Sequence, residues 1–190
     1  MEPKRCDWSF GTDRLHQSEK MLAYHDTRWG KPEHRDRELF AMLILELMQA
    51  GVSWALILNK EEAFRKAFDG FDPKLVAAYD EARVEELMQN PGIIRNRNKI
   101  KAAITNAQAF LQVEAEFGSF DGYIWSFTNG QVVDHHLKTV QEMPAKDALS
   151  EQVSADLKRR GFNFVGPVIV YSYLQASGVI NDHLEDCAFR

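Results

Sequence analysis

The two cysteines of the chain, Cys6 and Cys187, lie near its opposite ends. Each has a histidine at a spacing that suits a metal: Cys6 with His25, and His183 with Cys187 at i, i+4, one helical turn apart. Two thiolates and two imidazoles match the tetrahedral demand of zinc. A shell filled by protein ligands leaves no position for a substrate water, so such a site is structural. It would pin the N-terminal segment to the C-terminus. Two other readings stand beside it: unrelated buried thiols, which are common, and a Cys6–Cys187 disulfide. The interval from Cys6 to His25 is wider than a zinc-knuckle spacing, so spacing alone does not choose among them.

Glu46 is the second residue with chemical promise. On a helix it falls about 20° from Leu39 and beside Met42 and Ala50, inside the apolar sector rather than on the wet side. An ionised carboxylate without a partner is unfavourable there by several kcal/mol. It must pair with a buried Arg or Lys, take up a proton, or line a pocket whose ligand supplies the partner. Trp54 follows just after the helix break at Gly51 and would sit near the same helix end. An indole beside a carboxylate is a good receptor for a flat cation.

Two basic breaks form the third feature. Lys158, Arg159 and Arg160 end one helix, Gly161 to Gly166 make a short turn, and Pro167 opens the next helix with its first backbone N–H groups unpaired. Such an N-terminus binds phosphate, and a glycine-bracketed link between two helices resembles a helix-hairpin-helix, which holds the DNA backbone without reading sequence. Pro91 to Lys99 is a similar break, with Arg95, Arg97 and Lys99 at alternate positions. Either break alone is equally an ordinary connection with solvated charges. The pair, together with a pocket carboxylate, points to DNA.

The elements that must position these groups are helical. Asp36 is placed to cap a helix carrying Leu39, Phe40, Leu43, Ile44 and Leu47 on one stripe, with Gly51 at its end. Ser53 caps the next helix, Asp72-Pro73 opens a short one, Asp80 starts another and Asn90-Pro91-Gly92 ends it. Ile100, Ala103, Ile104, Ala107, Phe110 and Leu111 mark a long amphipathic helix from about Asn96 to Phe117. Ser119 to Phe127 gives a short helix, Thr128 to Lys146 is loop-like, Ser150 is placed to cap a helix to Arg160, and Phe164 to Gln175 gives the last helix. The fold class is all-α. His135-His136 with Asp134 read as surface histidines on the loop.

With 190 residues, 45% of them apolar, the chain can bury a full core. The start has no apolar signal core and no apolar run is long enough to span a membrane. A cytoplasmic site is expected, which weakens the disulfide reading. The net charge of −5 does not by itself attract an anionic partner, so nucleic-acid contacts must come from local basic patches.

Cys6-Asp7-Trp8, Ala23-Tyr24-His25-Asp26 with Trp29-Gly30, Leu45-Glu46 with Gln49-Ala50-Gly51-Val52-Ser53-Trp54, Gly92-Ile93-Ile94-Arg95, Trp125-Ser126-Phe127, Arg160-Gly161-Phe162 with Phe164-Val165-Gly166, and Asn181-Asp182-His183 together resemble the DNA-3-methyladenine glycosylase I family. The blocks keep the family's order from about residue 5 to 187. The resemblance implies one glycosylase domain over residues 1–190, with the helix-hairpin-helix glycosylase fold of two packed helical lobes. It implies a structural zinc on Cys6, His25, His183 and Cys187 joining the terminal segments. It also implies a pocket for the excised base formed by Tyr24, Trp29, Glu46 and Trp54, with Glu46 as the catalytic-site carboxylate.

DNA contacts are expected from Arg95, Arg97, Lys99, Arg160, Gly161 and Gly166. The implied activity is hydrolytic release of 3-methyladenine from double-stranded alkylated DNA by a monomer, with the base flipped out of the stack. In the wider superfamily a catalytic aspartate follows the hairpin. Here that neighbourhood is Asn181-Asp182-His183, drafted into the zinc site, which argues against a base role for Asp182. No lysine stands after Gly166 for Schiff-base chemistry, so the enzyme is expected to be monofunctional. Met21 stands where the family carries a tyrosine, Arg28 replaces an acidic residue, and Leu47-Met48 replace smaller or polar ones.

Two rival classes follow from the same residues. A zinc nucleobase deaminase would use His183-Leu184-Glu185 as its H-x-E element, but the P-C-x-x-C partner is absent. A zinc-stabilised DNA-binding module that kept the fold and lost excision is the stronger alternative.

Overall fold

The computed structural model describes residues 3–10 and 18–190. A 3-10 turn at Asp7–Phe10 leads toward α1 (Glu19–Thr27), α2 (Asp36–Gln49), α3 (Trp54–Ala67), α4 (Pro73–Ala77), α5 (Glu81–Gln89), α6 (Arg97–Phe117), α7 (Phe120–Ser126), α8 (Ala148–Arg159) and α9 (Pro167–Ala176). The all-α expectation holds for the described residues apart from one two-residue parallel pairing, β1 (Val133–Asp134) against β2 (Ile180–Asn181). Among the described residues no helix is long and apolar enough to cross a membrane.

Local capping chemistry sets most boundaries. The Ser53, Asp72, Asp80 and Asn96 side chains accept from backbone N–H groups in the first turns of α3, α4, α5 and α6. Two caps differ from the sequence expectation. Asp36 is the first residue of α2 rather than its cap, and its carboxylate instead accepts the N–H groups of Phe120 and Asp121, so it ties α7 to α2. Asp147 caps α8, and Ser150 completes a capping box by accepting the Asp147 N–H in return. The last helix starts at Pro167, three residues later than its apolar run, because the hairpin occupies those positions.

Helix α2 is the centre of the molecule. The sequence marks one apolar stripe, yet every residue from Leu39 to Met48 is buried. Neighbours on several sides explain this: α3, α6, α7 and α9 all pack against α2. Helices α4, α5 and α7 gather on α6, α8 gathers on α9, and α2 touches both groups. The turn after α9 depends on Gly178, whose φ is +71° and whose missing Cβ would lie 2.1 Å from the Lys31 carbonyl carbon. Any side chain there would collide with backbone.

Lys99 requires a correction. Its side chain is not presented to solvent; it is 6% exposed and its Nζ donates to the carbonyls of Met48 at 2.9 Å and Ala50 at 2.5 Å. It therefore satisfies the end of α2, where carbonyls lack helical partners, instead of facing solvent. The same contact fastens the first turn of α6 to the end of α2, next to Gln49.

Candidate functional site

The structure gathers Tyr24, Trp29, Glu46 and Trp54 around one cavity of about 200 Å³, with Trp8, Met21, Gln49, Val140, Met143, Ser172 and Gln175. Helix α1 supplies Tyr24 and Met21, and α2 supplies Glu46 and, one turn on, Gln49. Trp54 opens α3, and Ser172 and Gln175 come from α9. The aromatic rings brace one another: Trp8 meets Trp29 edge-on at 4.6 Å between centroids, and Tyr24 meets Trp54 at 5.2 Å. These spacings lie in the favourable range for aromatic pairs. Met21 lies on the cavity wall, whereas Leu47 and Met48 are buried in the core and Arg28 pairs with Glu61 at 2.8 Å outside it.

Glu46 is 3% exposed, and its buried Oε2 has no hydrogen-bond partner among the described residues. Among the described residues no Arg or Lys forms an ion pair with it, which removes the buried salt bridge that its helix position allowed. Burial alone pushes its carboxyl from the ordinary 4.5 to about 8. Burial also pushes the Tyr24 hydroxyl well above its ordinary value, with the nearby Glu46 charge adding to the effect. A protonatable carboxyl with no internal partner, set among electron-rich rings, is a receptor for a flat, positively charged or amine-bearing group.

Cys6, His25, His183 and Cys187 form a second constellation beside that wall. All are buried, and their ligand atoms lie within 4.8 Å of one another. Cys187 Sγ is 3.4 Å from His183 Nδ1 and 3.7 Å from His25 Nε2, and Cys6 Sγ is 3.7 Å from His183 Nδ1. Metal–ligand bonds of typical length at a tetrahedral angle place S and N about 3.6 Å apart, so the set can hold a metal ion. The remaining ring nitrogens are committed elsewhere. His25 Nδ1 donates to Asp26 at 2.8 Å, Asp26 is held by the Arg5 guanidinium, and His183 Nε2 donates to the Trp29 carbonyl at 2.9 Å. These bonds aim the free lone pairs at the cluster. Burial holds both imidazoles below their ordinary value, His183 at about 4, and pushes the Cys6 thiol up to about 12. A buried thiolate there needs a cation. His183 to Cys187 form a turn closed by the Cys187 N–H on the Leu184 carbonyl, rather than the helical turn of the sequence reading.

The hairpin lies between α8 and α9. Gly161 turns the chain at φ +91°, the Asn106 side chain bonds both the N–H and the carbonyl of Asn163, and Gly166 precedes α9 with no side-chain cap. No side chain therefore caps the first amides of α9. Arg160 is engaged inward: it pairs with Asp156 and Glu116 and lies over the Phe117 and Tyr123 rings. Arg97 pairs with Glu81 and Glu85. Arg95 is exposed, and no carboxylate among the described residues pairs with it.

Asp182 is not part of the cysteine-histidine cluster. It is fully buried and accepts from Tyr171 and His135. His135 is accordingly not a free surface histidine, while His136 remains exposed. Sequence reasoning missed Trp8, Gln49, Val140, Met143, Ser172 and Gln175 as cavity residues. Gln49 and Gln175 carried a signal, since each is polar within an apolar helix; Val140 and Met143 lie in and after a 3-10 turn whose sequence has no period.

Comparison with known proteins gives a consistent result. Residues 14–190 match the family described as methyladenine glycosylase. DNA-3-methyladenine glycosylase 1 of Escherichia coli (strain K12) is 45% identical over 184 residues, covering 97% of this chain and 95% of that protein. A crystal structure of 3-methyladenine DNA glycosylase I superposes with a TM-score of 0.91 at 44% identity, covering 97% of this chain and 98% of the other. A tyrosine-to-phenylalanine variant of 3-methyladenine DNA glycosylase I, solved in complex with 3-methyladenine, superposes with a TM-score of 0.89 at 38% identity, covering 92% and 94% of the two chains.

The isolated carboxyl has a measurable consequence for stability. In the unfolded chain Glu46 takes its ordinary value of 4.5, and in the folded chain about 8. Between these values the folded state keeps a proton that the unfolded state has lost, so stability falls as pH rises, and the loss is complete above about 8. Glu46→Gln should abolish this loss. Its stability margin over the wild type should widen from pH 4.5 toward 8, reaching about 2–5 kcal/mol, as read by chemical denaturation at each pH. A destabilised variant would reveal a hidden cation partner.

Proposed function

The chain belongs to the methyladenine glycosylase family, and from that premise we propose that it is a DNA-3-methyladenine glycosylase whose cavity receives the methylated base. It is an enzyme of the N-glycosyl hydrolase class. The observation that carries the site assignment is the unpartnered Glu46 carboxyl inside a cavity walled by Trp8, Tyr24, Trp29 and Trp54.

Methylation at N3 makes adenine a cation and weakens its bond to the sugar, because the base departs as a neutral molecule. The enzyme need not protonate the leaving group strongly. It rotates the nucleotide out of the stack into the cavity, where the rings of Tyr24, Trp29 and Trp54 sandwich the base. Glu46 acts as the catalytic-site carboxylate by hydrogen-bonding the base edge and favouring its positive charge. As the glycosidic bond breaks, water adds to the sugar carbon and a proton is released. No lysine amine takes part, so the activity is hydrolytic and monofunctional.

Double-stranded alkylated DNA lies along the hairpin, with Gly161, Gly166 and the first amides of α9 on the backbone and Arg95 and Arg97 on neighbouring phosphates. Arg160 supports the hairpin through its ion pairs. Lys99 is omitted from this surface because it is buried on the α2 carbonyls. The enzyme acts in the cytoplasm as a single-domain monomer and releases 3-methyladenine.

Cys6, His25, His183 and Cys187 hold a structural zinc. The ion would neutralise the buried thiolates and tie the chain ends beneath Trp29. Purified protein should contain about one zinc per chain. Cys187→Ser should lower both the zinc content and the melting temperature, since metal binding and folding are coupled. A metal-free preparation of full thermal stability contradicts the assignment.

The excision proposal is tested by chromatography of bases released from methylated DNA. Wild-type protein should release 3-methyladenine, and Glu46→Gln should lower kcat/KM by about tenfold to a hundredfold, the usual worth of a hydrogen bond to a charged partner. A cationic substrate selects the ionised carboxyl, so wild-type kcat/KM should climb as pH approaches about 8 and then level, while the variant stays flat. Wild-type protein that releases no base would leave only a DNA-binding module.

A further inference from the structure

Gln175 is a buried polar residue on the cavity wall to which the proposed reaction gives no task. It is 6% exposed and borders the same cavity as Glu46. Its Nε2 donates to Asp182 Oδ2 at 2.7 Å and lies 3.3 Å from the Met143 sulfur. Asp182 is fully buried; the same Oδ2 accepts the Tyr171 hydroxyl at 2.5 Å, and Oδ1 accepts His135 Nδ1–H at 2.7 Å.

This network fixes which way round the amide sits. A primary amide has a donor end and an acceptor end, and the two are interchanged by a simple flip. Flipped, Gln175 would press its carbonyl oxygen against a carboxyl oxygen at hydrogen-bond distance and against a thioether sulfur, both of which are acceptors. The donor end therefore stays on Asp182. Oε1 is left over, and it accepts no hydrogen bond from the described residues. Gln175, on the same wall as Glu46, thus carries a fixed carbonyl acceptor.

Resting on the reading of the cavity as a base pocket, we propose that Gln175 is a specificity-determining residue, its Oε1 accepting a hydrogen bond from the exocyclic amine of an adenine. The positive charge that Glu46 favours does not distinguish purines, because a methylated guanine in DNA is a cation too. The substituent at C6 does. Adenine offers an amine donor there, whereas guanine and hypoxanthine offer a carbonyl oxygen, which would face Oε1 as a second acceptor. Asp182, Tyr171 and His135 act through Gln175 as positioning residues, since a free amide could turn and accommodate either substituent.

The cleanest probes are free 3-methyladenine and free 3-methylhypoxanthine, which differ at C6, titrated by quenching of the tryptophan fluorescence of the cavity. Wild-type protein should bind 3-methyladenine more tightly, and Gln175→Leu should shrink that preference by about tenfold, the worth of one unpaired acceptor. Gln175→Met, closer in shape, should do the same and serves if the leucine variant folds poorly. A wild-type protein with no preference overturns the proposal without any variant. A variant that loses affinity for both bases in equal measure shows a merely structural role and also overturns it. Wild-type protein that neither binds nor releases 3-methyladenine instead refutes the base-pocket reading, so the two failures are distinct.

Discussion

A carboxyl buried without a partner is the constraint around which this molecule is arranged. Glu46 sits in the middle of a helix whose residues from Leu39 to Met48 are all buried. Nothing in the fold itself rewards a carboxyl there, and a leucine would pack more favourably. Such a violation of the ordinary rules is what a functional site looks like when viewed as a folding problem. The surrounding helices tolerate it because α2 is fixed on several sides, because Lys99 satisfies its final carbonyls, and because Asp36 links its first turn to α7.

The wall that faces Glu46 depends on the chain ends. Among the described residues Trp29 donates no long-range hydrogen bond to hold its place; instead its backbone carbonyl accepts from His183, and its indole lies 4.7 Å from the His183 ring and 4.6 Å from Trp8. The segment from Asn181 to Cys187 thereby acts twice. His183 and Cys187 belong to the cysteine-histidine cluster, while the neighbouring Asp182 faces away from it and orients Gln175. Loosening this short segment would disturb both sides of the cavity.

Much of this was legible in the sequence because it is local. A serine, aspartate or asparagine before a periodic apolar run caps a helix wherever the run folds, and Ser53, Asp72, Asp80 and Asn96 do so. Glu46 was legible for the same reason: its angle on the helix is fixed by its place in the sequence. The cysteine-histidine cluster was legible by chemistry as one of three readings, and the family resemblance chose among them. What escaped was set by neighbours distant in the chain. Lys99 looked like one of a basic triplet, yet it meets carbonyls some fifty positions away, an encounter no spacing encodes. Asp182 seemed to belong with His183, although adjacent residues in extended backbone point to opposite sides. His135 lay in a stretch without period, and its partner is 47 positions distant.

In the proposed reaction Glu46 is held as an isolated carboxyl that becomes charged for a cationic base. This is tested most directly by carbon-13 NMR of the side-chain carboxyl in protein labelled at glutamate, with the Glu46→Gln variant assigning the resonance. In the free protein the resonance should titrate with a midpoint near 8 rather than at the ordinary 4.5. Saturation with a cationic N3-methylated adenine nucleoside analogue, non-hydrolysable at its sugar bond, should move the midpoint down. A Glu46 resonance that titrates in the ordinary carboxylate range and ignores the bound cation would contradict the account.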